Sequence, residues 1–210
     1  MAILKAGVNG PFSGKVGSIV GYELNGQAII RSLPAVIKRP PSELTLINRM
    51  RMKVVSRFLK FIKMPIAFGY KNIAPKGSRV GTFQSAQSYL FHNAVDYDAE
   101  NMPYVNPEKV LVFRGDMVPP QLINVERRDN KLYVEWNKDA CKGYPTIVVV
   151  LAYVIEKSCT WNEGAAISTE GKMLWEDRQF SIKEDQVHIY VGFYDMLNDK
   201  FSDSVYGGCV

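Results

Sequence analysis

The feature that most restricts the fold is a series of short apolar segments in the last 90 or so residues, at 121–127, 131–136, 146–155, 179–182, 187–193 and 202–206. Polar and turn-forming residues separate them, and Asp129-Asn130 supplies the first tight turn. Segments of this length and spacing read as strands, and many short antiparallel strands bury their apolar sides by stacking two sheets. A further strand is expected between 159 and 173. The longest apolar run, 147–155, is rich in β-branched residues and far shorter than the roughly 18 residues of a membrane-spanning helix. The chain is therefore expected to end in an all-β sandwich.

Ahead of residue 118 the hydrophobic period changes. Asn25-Gly26 stands between two β-prone runs, 18–24 and 27–33, which is the pattern of a type I′ hairpin, because that turn needs positive φ at both central residues. Pro34, Pro40 and Pro41 then interrupt regular structure, and Ser42-Glu43 reads as an N-cap followed by an acid in the first helical turn. From 44 to about 64 the spacing is helical. Ile47, Met50, Val54, Phe58 and Phe61 share a face that Val55 and Ile62 widen, and Pro65 is expected to end the helix. Thr82 is expected to cap a second helix running to about Val95; 96–107 reads as a connection and 110–113 as a buried strand. The fold class is thus an α+β N-terminal part, a hairpin or sheet with two helices, followed by the sandwich. The division falls at 115–120, giving a domain at 1–117 and a second at 118–210 that is expected to fold alone.

Two resemblances follow from particular residues. Pro119-Pro120, the stretch 132–136 with Trp136, the stretch 187–191 with Tyr190, and 202–204 resemble a fibronectin type III domain, in which a Trp of the second strand and a Tyr of the sixth lie in the core. That likeness implies an interaction module and names no ligand. The motif 10–17 (GPFSGKVG), the 25–26 hairpin followed by Arg31, Asn48-Arg49 in the helix, and 109–111 leading to Arg114-Gly115 resemble an uncharacterised, Bacteroides-type bacterial family of about this length. This second likeness supports the two-part layout and implies no activity and no catalytic residue.

Charge is distributed unevenly. The net of +5 divides into 16 basic against 7 acidic side chains over 1–117 and 10 against 14 over 118–210. The first 81 residues alone carry 14 basic side chains against Glu23 and Glu43. On the helix, Arg49, Lys53, Arg57 and Lys60 form a stripe opposite the apolar face, with Lys38, Arg39, Lys63, Lys71, Lys76 and Arg79 nearby in sequence. Such a stripe suits phosphates or an acidic protein, and it is equally what a solvated surface helix shows. These four residues are the candidate contact site for an anion or nucleic acid.

Catalytic constellations do not emerge. Gly14-Lys15 lies in a P-loop-like stretch, but Asn9 replaces the first glycine, Val16 replaces the hydroxyl that binds Mg²⁺, and a hairpin rather than a helix follows. Cys141, Cys159 and His188 match no zinc spacing, and His92 is the only other histidine. The acidic pairs 176–177 and 184–185 sit beside Arg178 and Lys183 and read as solvated surface. Tyr133, Trp136, Tyr153, Trp161, Trp175 and Tyr190 are numerous enough for sugar stacking but suit core packing better. The expectation is a non-enzymatic structural or protein-interaction protein with no catalytic residue, cofactor or metal, and with nucleic-acid binding as the alternative. A protein partner or a second copy is favoured over nucleic acid, and no small-molecule ligand is indicated. Three widely spaced cysteines and an N-terminus without a signal-peptide apolar run place it in the cytoplasm.

Overall fold

The computed structural model describes residues 2–4, 10–24, 26–35, 40–73, 80–128, 130–140, 145–181 and 186–210. Strands β1 (Ala2–Leu4), β2 (Phe12–Val16), β3 (Ile19–Leu24) and β4 (Gln27–Ser32) form an antiparallel four-stranded sheet in sequence order. The expected hairpin is β3–β4, closed by the pair Leu24 and Gln27, with Gly26 at φ 78°. Asn25 lies outside the described residues. The stretch that resembled a P-loop is β2, part of a sheet and not the mouth of a helix.

Helix α1 (Glu43–Phe61) starts where Ser42 predicts: Ser42 is extended, and its Oγ accepts the Thr45 amide at 3.3 Å. Pro65 does not end the helical region. After a break at Ile62, α2 (Lys63–Gly69) begins, and Pro65 lies in its first turn, where a missing N–H costs no intrahelical bond. Helix α3 (Thr82–Asn93) follows, with Gly81 rather than Thr82 at the N-cap position. Among the described residues there are accordingly three α-helices where the sequence predicts two. The expected connection at 96–107 contains a short hairpin, β5 (Val95–Tyr97) and β6 (Pro103–Val105).

In the second half the strands are β7 (Asn124–Arg128), β8 (Lys131–Glu135), β9 (Ile147–Val154), β10 (Ser158–Ile167), β11 (Lys172–Glu176), β12 (His188–Asp195), β13 (Lys200–Phe201) and β14 (Val205–Cys209). Of the strand predicted at 179–182, residues 179–181 belong instead to a 3₁₀ turn over Arg178–Ser181, which places Phe180 in the core, and Ile182 lies outside the described residues. Nor is 110–113 a strand. Val110, Val112 and Phe113 are buried as predicted, but the Val112 amide donates to the Ser204 hydroxyl and not to a neighbouring strand.

Two sheets face each other here. One has the order β11-β8-β7; the other runs β10-β9-β12-β13, with β14 also paired to β12. Every residue of β9 from Val148 onward is buried, because each face of this strand is covered by a different layer. Val148, Val150, Ala152 and Val154 meet Leu132, Val134, Met173 and Trp175 from the three-stranded sheet. Val149, Leu151 and Tyr153 point the other way, into a core built with Val55, Phe58 and Leu59 of α1, Ile62 at the break, Ile66 of α2 and Leu90 of α3. Helices, central sheet and outer sheet are thus three successive layers with two cores, and packing crosses residue 117. Phe113 lies at this crossing. A Cβ built on Gly192 of β12 would come within 2.8 Å of the Phe113 ring, and one on Gly69 of α2 within 2.7 Å, so both positions need glycine for lack of space.

Candidate interaction surface

Periodicity places Arg49, Lys53, Arg57 and Lys60 on one side of α1, and all four are exposed there. Arg57 lies 3.7 Å from Glu156, an exposed pair of small energetic weight, and Lys60 sits over the Phe61 ring at 5.6 Å. Of the supporting cations, Lys38, Arg39, Lys76 and Arg79 fall outside the described residues. Lys71 is occupied elsewhere. Its ammonium pairs with Asp199 and bonds the Tyr194 hydroxyl at 3.0 Å, over the rings of Phe68, Tyr194 and Phe201. The hydrogen bond from Lys71 in turn holds the Asp199 carboxyl below the usual carboxylate range. Lys71 therefore ties α2's flank to the β12–β13 turn and does not belong to the stripe.

The covered side of α1 is rotated from the predicted one. Val55, Phe58, Leu59 and Ile62 are buried, whereas Leu44, Leu46, Ile47, Met50 and Met52 in the first half are exposed. Arg51 lies on the inward side. Its guanidinium rests over the Phe91 ring at 4.2 Å and donates to the Phe91 carbonyl at 2.7 Å. The strip of helix surface that the sequence marked as core is left open at its N-terminal end.

The four-stranded sheet shares this openness. Among the described residues neither hydrophobic cluster includes a side chain from β1–β4; Ile29 of β4 is buried, while Ile3, Val16, Ile19, Leu24 and Ile30 are exposed on the sheet. Cross-strand pairing sets Val16, Ile19 and Ile30 on one face; Lys15, Val20, Tyr22 and Arg31 are on the other, with Arg31 over the Tyr22 ring. Alternation predicts the strands but not the missing cover.

Other candidate chemistry disperses. Cys159 and His188 both face Tyr153 in register, on opposite sides of it, so they stand two strand spacings apart, about 9–10 Å. Tyr153 stands between them, and each side chain is engaged elsewhere. His188 instead meets the Tyr206 hydroxyl at 2.8 Å, and burial lowers its pKa. Cys159 donates to the Phe61 carbonyl, and burial raises its thiol pKa, away from nucleophilic reactivity. Cys141 and the acidic pair 184–185 lie outside the described residues. Trp136, Tyr153, Trp175 and Tyr190 are buried as packing residues, with Trp136 donating to the Ser168 carbonyl at 2.7 Å and Tyr190 to the Pro107 carbonyl at 2.9 Å.

A groove of about 460 Å³ lies on the open side of the three-stranded sheet, lined by Tyr133, Glu135, Ala166, Glu170, Lys172, Met173 and Leu174. Glu135 and Lys172 are cross-strand partners there. The lining holds no nucleophile with an adjacent base. Among the described residues no cluster of His, Cys, Asp and Glu is arranged to hold a metal, and no helix is long and apolar enough to cross a membrane.

Comparison with curated proteins returns no match. Nearly the whole chain, residues 11–208, matches a family of unknown function, and the protein is therefore a member of the DUF6266 family.

Proposed function

We propose that this chain is a non-enzymatic structural or protein-interaction protein, acting in the cytoplasm through its N-terminal sheet. One observation carries this reading. Among the described residues sheet β1–β4 exposes Ile3, Val16, Ile19, Leu24 and Ile30 while giving no side chain to either hydrophobic cluster, and apolar area left in water is area available to a partner. The β-rich half supports the same reading as a two-sheet sandwich, three strands (β11-β8-β7) on five (β10-β9-β12-β13 with β14), in which Trp136 after the second strand is buried between the sheets as in a fibronectin type III domain, while Tyr190 of the sixth strand is buried on the helix side. Lysine-directed cross-linking in native extract tests the proposal. Lys15 is expected to cross-link to peptides of another polypeptide, and Ile3→Asp with Ile30→Asp is expected to abolish those products. Cross-links confined to the chain's own peptides within one molecule would overturn it.

A second reading, nucleic-acid binding, draws on the exposure of Arg49, Lys53, Arg57 and Lys60. It expects log affinity for generic DNA to fall linearly with log salt, with a slope of about −0.9 per phosphate neutralised. Replacing all four by Gln then flattens the slope by about three to four units. Absence of binding at low salt removes this reading.

A further inference from the structure

The chain is electrically two-ended. Residues 1–81 hold 14 basic side chains against 2 acidic, and residues 82–210 hold 12 against 19, so a net of +12 precedes a net of −7. Within the second part, 82–108 contains no Lys or Arg, and its acids are Asp96, Asp98, Glu100 and Glu108. The β5–β6 hairpin projects from this stretch with Tyr97, Met102 and Tyr104 each more than 40% exposed. Tyr and Met are residue types enriched where proteins meet.

The hairpin tip is held in shape. The Asp98 carboxylate accepts the amides of Glu100 and Met102 at 3.0 and 2.8 Å, and the Asp98 amide donates to the Met102 carbonyl. Asp96 is engaged by Asn106 and Lys109. Other acids meet cations within the molecule: Glu126 with Arg128, Glu176 with Lys131, Glu156 with Arg57, Asp199 with Lys71. Among the described residues Asp98 and Glu100 form no ion pair. They leave an acidic, aromatic and ordered knob.

Resting on the interaction reading above, we infer that the partner of the N-terminal sheet is a second copy of this chain, docked head to tail. The face of the sheet bearing Ile3, Lys15, Tyr22 and Arg31 receives the knob of Tyr97, Asp98, Glu100, Met102 and Tyr104 from the next copy. Charge decides the arrangement. Sheet against sheet would set Lys15 and Arg31 of one copy against the same two cations of the other, whereas sheet against hairpin sets them against Asp98 and Glu100 and places Ile3 and Tyr22 beside Tyr97, Met102 and Tyr104 in the same contact. The two surfaces are different patches of one chain, so the contact is heterologous, and repetition closes a ring or extends a filament.

Sedimentation velocity of the full-length protein tests this at concentrations up to about 100 µM in low and high salt. The wild type is expected to form oligomers that grow with concentration and weaken with salt. Lys15→Glu with Arg31→Glu is expected to weaken association at least about tenfold, and Glu100→Lys, which spares the Asp98 bonds that shape the tip, is expected to weaken it as well. An equimolar mixture of these two variants is expected to recover it, because each acidic sheet then meets the Glu100→Lys hairpin and each basic sheet an acidic one. Thermal unfolding at the wild-type midpoint is expected for Lys15→Glu, Arg31→Glu and Glu100→Lys, since all three side chains are exposed. A wild type that stays monomeric at low salt overturns the inference, as does a mixture that fails to recover. If Lys15 still cross-links to a different protein, the interaction reading survives and only the identity of the partner falls. A monomer that shifts duplex DNA points instead to nucleic acid.

Discussion

The Tyr153 hydroxyl donates a 2.9 Å hydrogen bond to the backbone carbonyl of Phe58, 95 residues earlier in the chain. The same oxygen accepts the Glu156 amide at 3.0 Å, and the two rings meet edge to face at 5.0 Å between centroids. A residue of the central sheet thus terminates on the backbone of α1, in the interior where helices and sheet share one core. Burial pushes the Tyr153 phenol up to about 12, so it stays a donor across the physiological range. Tyr153→Phe keeps the ring contact and strands both backbone partners. The expected cost is about 1–3 kcal/mol in urea unfolding, larger than for a surface Tyr→Phe control such as Tyr133.

The shared core changes what a truncated chain should do. The sequence alone suggests that 118–210 folds by itself, but in that fragment Val149, Leu151, Tyr153 and Tyr190 would lose the helices that cover them. Expressed alone, the fragment is expected to show no cooperative thermal transition and to bind a hydrophobic dye. A sharp transition like that of the full chain would show that the outer core suffices.

Trp136 belongs to the other core, against Leu132, Val134 and Met173. Trp136→Ala is expected to cost about 3–5 kcal/mol, the range for truncating a buried large aromatic. Trp136→Phe, which loses chiefly the bond from Nε1 to the Ser168 carbonyl, is expected to cost distinctly less. Equal losses in chemical denaturation would mean that the hydrogen bond, and not the packing, dominates.

Gly192→Ala tests the close approach across the layers. A methyl there meets the Phe113 ring at 2.8 Å, with the backbone of a central strand unable to retreat. A loss of about 1–3 kcal/mol is expected. The double variant with Phe113→Leu is expected to lose less than the sum of the two single losses, since the smaller side chain vacates the contact.

His188 gives the pH dependence its sign. Burial lowers its pKa from the ordinary 6.5, so below that value the unfolded chain binds a proton that the folded chain resists. Stability from this group is complete above about pH 6.5 and declines as pH falls toward the lowered folded value. His188→Gln is expected to flatten the difference in unfolding free energy between about pH 7.5 and 5.5 relative to wild type. An unchanged slope would mean that the imidazole is solvated in the native state.

Local pattern alone determined much of this protein. Period-two alternation located β8, the continuous β-branched run located β9, Asn25-Gly26 located the β3–β4 turn, and Ser42 located the start of α1. Each depends on a few neighbouring residues, so each is written in the local sequence. Only the tertiary structure decided what covers a face. The period of α1 marks Ile47 and Met50 as apolar without revealing that the core reaches only the C-terminal half, and it cannot tell Arg51, resting on Phe91, from the outward Arg49. Lys71 counts as one more cation in the sequence, yet it is consumed by Asp199 and Tyr194, more than 120 residues away. β5 and β6 have three residues each, too short for any period, and exist because they pair with one another around Asp98. The exposed apolar side chains of sheet β1–β4 have the same origin: alternation makes a strand amphipathic, but burial requires a second surface, and that surface is set by contacts distant in the chain.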